Sequence, residues 1–396
     1  MKKEERYLFP ADYMADPSVH VFNGRLYIYP SHDRESGIPE NDNGDHFDMN
    51  DYHVLSTDDV MHGEIVDHGV ALKVADIPWA GRQLWDCDIA CKDGKYYLYF
   101  PLKDRNDIFR MGVAISDKPE GPFIPQPDPI RGSYSIDAAV FRDDDGSYYM
   151  YFGGIWGGQL QRYRDNKAIE SPCLPADNEP ALPSRVVKLS DNMLEFAEEP
   201  RPVIVLGEDG KPLFAGDPHR FFEASWMHKY KGKYYLSHSD NHASTQGGNQ
   251  MQYSVSDNPL GPFTPCGVYM YPQGEETAHG SIVEYNGKWY SFYHTSNHSG
   301  RGGLRSVCVD PIEYDLKGNL KVVKNWGRPY GNRAVEIGLN KQTIIQAENY
   351  NMGGQHTAYY KNPKTGTRMD VKTENGIGFL SSMKGGEWVR YTFNVS

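Results

Sequence analysis

Cysteine is scarce in this chain, with five residues in 396: Cys87, Cys91, Cys173, Cys266 and Cys308. Cys87 and Cys91 do not form CxxC, and no second pair of metal-ligand spacing accompanies them. That argues against a disulfide framework or a cysteine zinc site; buried free thiols in a reducing compartment are expected. Long apolar runs are missing too. No stretch approaches the roughly 20 apolar residues of a spanning helix, so membrane insertion is not expected. Basic runs are absent and the formal net charge is −12. Nucleic acid and anionic membrane surfaces are therefore poor partners on electrostatic grounds. The opening MKKEERYLFP carries charge but no apolar core, so as written it is no secretory signal. The expectation is a cytoplasmic chain, or a periplasmic or secreted one if a leader has been removed. Helical periodicity is nearly absent.

What the chain does have is turns and tyrosine: 40 Gly, 26 Pro and 28 Tyr, against 16 Phe and 7 Trp. Tyrosine suits half-buried strands and also sugar-binding grooves, where a ring stacks and a hydroxyl bonds. One phrase recurs five times: NGRLYIYPSHD (Asn23–Asp33), DGKYYLYFPLKD (Asp93–Asp104), DGSYYMYFGG (Asp145–Gly154), KGKYYLSHSD (Lys231–Asp240) and NGKWYSFYHT (Asn286–Thr295). Each is a turn ending in Gly followed by an aromatic strand. The turn glycines lie 70, 52, 86 and 55 residues apart, which fits blades of about four strands and ~40–50 residues with loop insertions. Two further segments, MGVAISDKPEGPFIP and MQYSVSDNPLGPFTP, repeat a second strand and its turn. An all-β, five-bladed β-propeller follows over residues 1–338. A β-sandwich assembly is the alternative, but it gives no reason for five copies of one hairpin. Residues 343–396 hold no sixth copy. Their short strand-like pieces are expected to form a partial β-sandwich-type segment, joined by a linker near Val335–Lys341.

Eight or nine residues before each turn glycine stands a polar group: Asp16, Asp86, Asp137, Glu223 and His279. In a propeller the innermost strands converge on the axis, so these groups can meet at one mouth of the tunnel. Spacing alone leaves the facing open, because a one-residue shift reverses it. Asp137 in SIDAAVF and Glu223 in FFEASWMHKY sit inside apolar strand starts, where an ionisable group is costly to bury. Burial among aromatics raises a carboxyl pKa, as a general acid near neutral pH requires. Taken singly, Asp16 before Pro17 could start a turn, Glu223 could be a salt-bridged structural carboxylate, and Asp137 could bond backbone amides. Three of them at one repeat position is harder to explain that way.

These segments, namely ADPSVHVFNGRLYIYPSHD, LWDCDIACKDGKYYLYF, SIDAAVF, FEASWMHKYKGKYYL and HGSIVEYNGKWY, resemble glycoside hydrolase family 43 over residues 7–330. With RSVCVD (Arg305–Asp310), they look most like its β-xylosidase and α-L-arabinofuranosidase members. The second motif departs from the usual WAPDI, reading Trp85-Asp86-Cys87-Asp88-Ile89. The resemblance implies Asp16 as general base on water and Glu223 as general acid. It implies Asp137 as the residue that positions Glu223 and keeps its pKa high. Such chemistry inverts the anomeric centre and needs room for water, ~6.5–9.5 Å between base and acid. Trp85 and Arg305 are the implied substrate contacts, with a core ring and a surface salt bridge as their alternatives. His32 and Asp33 are expected to shape the pocket. His279 is implied to face a calcium ion in the tunnel; its alternative is a hydrogen-bonded core histidine. No organic cofactor is implied. His238 and His242 read as a polar loop rather than a zinc site. The tail, IQAENYNMGG to GGEWVRYTFNV, resembles the start of a family 6 carbohydrate-binding module, with Glu348 at a position that often holds calcium.

The expected activity is thus an exo-acting β-xylosidase with α-L-arabinofuranosidase activity on plant cell-wall xylan or arabinoxylan oligosaccharides. Other readings are an arabinofuranosidase or an endo-arabinanase or xylanase of the same fold, and a non-catalytic carbohydrate-binding propeller. Fructan or sucrose cleavage on the related fold is a further class. The insertions Asp33–Asp51 and Gly153–Ser184 could wall in the site, which would mean exo action, or leave an open groove, which would mean endo cleavage; the sequence does not decide between them.

Overall fold

The structure is a computed structural model that describes residues 7–241, 249–272, 277–323, 335–338, 342–351, 359–360, 370–374, 377–391 and 393–395. Five antiparallel sheets follow one another along the chain. The first blade runs Met14–Phe22, Arg25–His32, Asp51–Thr57 and Val66–Lys73. The second has its inner edge split between Ala80–Leu84 and Asp88–Lys92, both paired to Lys95–Asp104, then Phe109–Ser116 and Ile124–Pro125. The third is Ala139–Arg142, Tyr148–Phe152, Arg185–Lys188 and Arg201–Pro202. The fourth is Glu223–Tyr230, Lys233–Asp240, Gln250–Ser256 and Thr264–Met270. The fifth has Gly280–Tyr285, Lys288–Thr295 and Ser306–Pro311, and Tyr7 bridges Cys308 from the N-terminal side. Leu8 also donates to the Val307 carbonyl at 2.9 Å, so the start of the chain closes the ring against its last blade.

The repeated turns form because their two residues tolerate left-handed backbone. Asn23-Gly24, Asp93-Gly94, Lys231-Gly232 and Asn286-Gly287 all have positive φ at both positions. This is the tight hairpin whose twist matches the flanking strands. The third blade uses a longer turn, closed by Asp143 to Ser147.

Each blade is buried on both faces. Along Lys95–Asp104, Leu98, Phe100 and Leu102 pack against Tyr52 and Leu72 of blade one, while Tyr99 packs against Val140 and Met150 of blade three. Period-two alternation thus serves two inter-blade cores at once. The tyrosines have a second task. Tyr29, Tyr99 and Tyr151, at corresponding points of three phrases, donate to the carbonyls of Pro119, Met193 and Pro259 at 2.8, 2.9 and 2.6 Å, and Tyr235, two residues earlier in its phrase, donates to that of Gly318 at 2.6 Å. In each case the acceptor lies in a turn beyond the tyrosine's own blade. Tyr285 of blade five completes the circuit to the Gly24 and Asp58 carbonyls of blade one. A buried phenol needs such a partner, and here the need ties neighbouring blades together.

Beyond the propeller, Val335–Ile337 pairs in parallel with Phe393–Val395. Tyr359–Tyr360 pairs with Trp388–Val389, and Asp370–Glu374 with Ile377–Ser381. The tail thus contains paired strands, while its described residues 342–351 and 382–387 carry none. His242 lies outside the described residues.

Candidate active site

Asp16, Asp86, Asp137, Glu223 and His279 line one cavity of about 660 Å³, together with Trp85, Trp156 and Arg305. The central strands bring them there, but not at one strict repeat position. Counted back from the last inner-strand residue before each hairpin, Asp16, Asp86 and His279 are equivalent; Glu223 is one residue further out and Asp137 one further in. Local backbone supplies the difference. Asp16 and Asp137 adopt φ of 48° and 60°, and Ala224, next to Glu223, has φ 65°. The inner-strand pairing breaks between Ala15 and Ser18 and between Glu223 and Trp226. Such bulges re-aim a side chain, here toward the axis. Left-handed non-glycine residues are strained, and strain of this kind gathers at functional sites.

Asp16 is held from three sides. Its Oδ1 accepts from Arg305 Nη1 at 2.9 Å and its Oδ2 from Ser31 Oγ at 2.5 Å. Its backbone N–H donates to His294 Nδ1 at 3.1 Å, while His294 Nε2 donates to the Thr277 carbonyl at 3.0 Å. His294 Nδ1 also lies 3.1 Å from Asp16 Oδ1. Burial pushes the Asp16 carboxyl up, yet the charges beside it, Arg305 foremost, hold it well below the ordinary aspartate range.

Arg305 is itself clamped. Asp33 accepts from Arg305 Nε at 2.9 Å, from Nη2 at 2.8 Å and from the Arg305 backbone N–H at 2.7 Å. The guanidinium lies 4.6 Å from the Phe47 ring centroid, a cation–π contact. Asp33 is thus a positioning residue, working through Arg305 and outside the cavity lining. His32, expected in the pocket beside it, does not line the cavity either. It bonds Asp51 at 2.5 Å and Asp12 at 3.2 Å instead. Neighbours on a strand face opposite ways, so the two could not share one role.

The second carboxyl group behaves oppositely. Glu223 is half-buried at the cavity wall. Burial, then the charges of Asp137 and Asp16, raise its carboxyl well above the ordinary range. Asp137 accepts the Ala224 N–H at 2.5 Å through Oδ2. It therefore pins the bulge that presents Glu223. Asp137 is also raised, chiefly by burial. Asp86 is raised well above its usual range, by burial and by Asp137, whose backbone N–H it accepts at 3.2 Å. Asp86 stands at the same spacing as the others, but its motif implies no role for it. His294 and Thr277 lie outside the eight-to-nine-residue pattern, because His294 comes from the second strand of its blade and Thr277 from the loop before it.

Trp85 sits in the break of the inner edge of blade two. Its Nε1 donates to the Phe47 carbonyl at 2.7 Å, and its ring lies 4.6 Å from that of Phe109. Gly44 presses so close that a Cβ there would meet Trp85 at 2.6 Å. Trp156, 44% exposed, packs edge-on against Phe222 at the rim. The cavity is therefore walled by residues 40–47 and 155–158 of the two expected insertions.

Asp86, Asp137 and His279 each offer a donor atom within 4.8 Å of the others. Asp86 Oδ2 is buried without a hydrogen-bond partner. The two carboxylates supply the oxygen donors that a hard cation such as calcium prefers, with the His279 nitrogen as a third donor.

Residues 10–320 match the model of glycosyl hydrolases family 43. A xylosidase/arabinosidase of Bacteroides ovatus is 64% identical, over 82% of this chain and 99% of that protein. A β-xylosidase of Xylanibacter ruminicola is 56% identical, over 81% and 99%. Among solved structures, a β-xylosidase/α-arabinofuranosidase from a compost microbial metagenome is 53% identical with a TM-score of 0.76. It covers 82% of this chain and 98% of its own, and was solved with xylotriose in a calcium-free form.

Proposed function

The chain belongs to glycosyl hydrolases family 43, and from that premise we propose that this glycoside hydrolase is an inverting, exo-acting β-xylosidase with α-L-arabinofuranosidase activity. Its substrates are short oligosaccharides cut from xylan and arabinoxylan. One observation carries the mechanism: two carboxyl groups of a single cavity are pushed in opposite directions, Asp16 down and Glu223 up. A pair separated in this way divides into base and acid at one pH.

Asp16, ionised, takes a proton from a water molecule that attacks the anomeric carbon. Glu223, protonated, gives its proton to the departing glycosidic oxygen on the opposite face. Asp137 holds the Glu223 bulge and adds negative charge that keeps the acid's proton on. Trp85 offers a ring face to the sugar, and Arg305 offers guanidinium donors to its hydroxyls. The walls built from residues 40–47 and 155–158 favour a pocket over an open groove, and so release from chain ends. The names of the close relatives support xylose and arabinose as the sugars released.

A calcium ion fits Asp86, Asp137 and His279 as donors. Bound there, it would supply fixed positive charge beside the reacting sugar. Residues 343–396 we read as a partial β-sandwich segment of carbohydrate-binding-module type, a reading supported by the three strand pairs of the tail.

The test is Glu223→Gln. Loss of a general acid lowers kcat by about 10²–10⁴ on xylobiose. The deficit should shrink with a dinitrophenyl xyloside, whose leaving group needs no proton. Proton NMR should show α-xylose as the first-formed product of the parent enzyme. A β-anomer formed first, or an equal deficit on both substrates, overturns the assignment.

A further inference from the structure

On blade one, away from the cavity, a second group of ligating side chains remains unused by the proposed chemistry. We infer that His32, Asp51 and His53 form a binding site for a divalent first-row transition-metal ion, of the zinc or cobalt type. The strand register builds it. Arg25–His32 pairs antiparallel with Asp51–Thr57 through Ile28 and Leu55, and the same register carried onward sets His32 opposite Asp51. His53 is two residues beyond Asp51, so both project from one face of their strand.

Donor atoms of the three residues lie within 4.8 Å of one another. The imidazole rings have centroids 4.7 Å apart and planes inclined at 60°. They are tilted rather than stacked. Their side chains keep 19%, 28% and 14% exposure for His32, Asp51 and His53. Water can therefore reach the site and complete a coordination shell.

The stronger argument lies one layer out. Each imidazole has a carboxylate at a nitrogen that the ion would not use. His53 Nδ1 is 3.0 Å from both oxygens of Asp67, and His32 Nε2 is 3.2 Å from Asp12. A carboxylate on one nitrogen holds the ring proton there and leaves the other lone pair basic and aimed, the usual support of a metal-ligating histidine. That leaves His53 Nε2 and His32 Nδ1 as ligands. His32 Nδ1 already lies 2.5 Å from Asp51 Oδ1, so the ion would displace a proton shared along that contact. Two nitrogens with one oxygen favour zinc, cobalt, nickel or copper over calcium or magnesium.

Position gives the site a purpose. His32 lies between Ser31, which bonds Asp16, and Asp33, which clamps Arg305. An ion on the outward face of this strand end would brace the segment that carries both inward contacts. Its effect falls on stability more than on the chemical step.

The test uses the whole chain stripped with a chelator, in a His279→Ala background that removes one donor from the cavity cluster. Zinc is titrated by calorimetry into this parent and into versions carrying His53→Gln or Asp51→Asn. The expected result is one zinc ion fewer per chain in each variant, with loss of the visible cobalt(II) band that nitrogen ligands produce. Equal stoichiometry in parent and folded variants overturns the site. Should both variants fail to fold, crystals of the parent soaked in zinc decide. An anomalous peak between His32, Asp51 and His53 supports the inference, and its absence refutes it.

Discussion

The clamp on Arg305 offers the most quantitative test of how the site is held. In Asp33→Ala the guanidinium loses two side-chain bonds of 2.8 and 2.9 Å, and its backbone N–H loses one of 2.7 Å. Arg305 is only 4% exposed, so water cannot replace them. Removing one partner of a buried ion pair costs about 3–5 kcal/mol, because the other charge stays buried. Unfolding entropy of about 2.1 cal/mol/K per residue, taken over residues 10–320, gives about 0.65 kcal/mol/K. The expected fall in Tm is therefore about 5–8 °C by scanning calorimetry. Arg305 keeps Asp16 and Thr277 as partners at 2.9 and 3.0 Å, and should swing toward them. A displacement of about 1 Å at a reacting centre costs on the order of 10²-fold in rate, so kcat/KM on nitrophenyl xyloside should fall by about that factor. Adding Arg305→Met should not restore the lost stability, since it takes from the buried Asp16 carboxylate its own ion-pair partner. A variant that melts within about 1 °C of the parent, with full kcat/KM, would refute the clamp.

Three other outcomes follow from the same geometry. Because the Asp16 carboxyl is lowered and that of Glu223 raised, kcat/KM should fall on the acid side as Asp16 protonates and on the alkaline side as Glu223 ionises; Glu223→Gln should abolish the alkaline limb alone. The same raised carboxyl makes a stability prediction. Its contribution is complete below the unfolded glutamate value, about 4.3, and is lost as pH rises through the folded value, so Glu223→Gln should melt above the parent in alkaline buffer and match it in acid. Gly44→Ala, which sets a Cβ 2.6 Å from the Trp85 ring at a position with φ 69°, should raise KM for xylobiose about tenfold, one decade being about 1.4 kcal/mol; an unchanged KM would remove Trp85 from the sugar platform.

How much of this could be read before folding differs from residue to residue. The five turn-and-strand phrases fix the blade count, because each carries a glycine turn and a strand buried on both faces. Asp16, Asp137 and Glu223 also announce themselves, as ionisable groups placed at apolar strand starts near those turns. Their exact offsets did not carry the geometry. Bulges at Pro17 and Ala224 shift the facing, and a bulge is set by how the chain pairs with its neighbour rather than by residue type. Tyrosine abundance pointed to strands and sugar grooves, yet four of the rings spend their hydroxyls on joining blades.

Sequence by itself thus determined the repeat, the β class and which ionisable groups stand just ahead of the hairpin turns, all of which are local properties of short segments. Tertiary structure alone decided that Asp33 faces Arg305 while His32 faces Asp51, and that Ser31, His294 and Arg305 converge on Asp16 from positions up to 289 residues away. The reason is closure of the ring. Charges separated along the chain acquire opposite proton affinities only after the blades bring them together and exclude water between them.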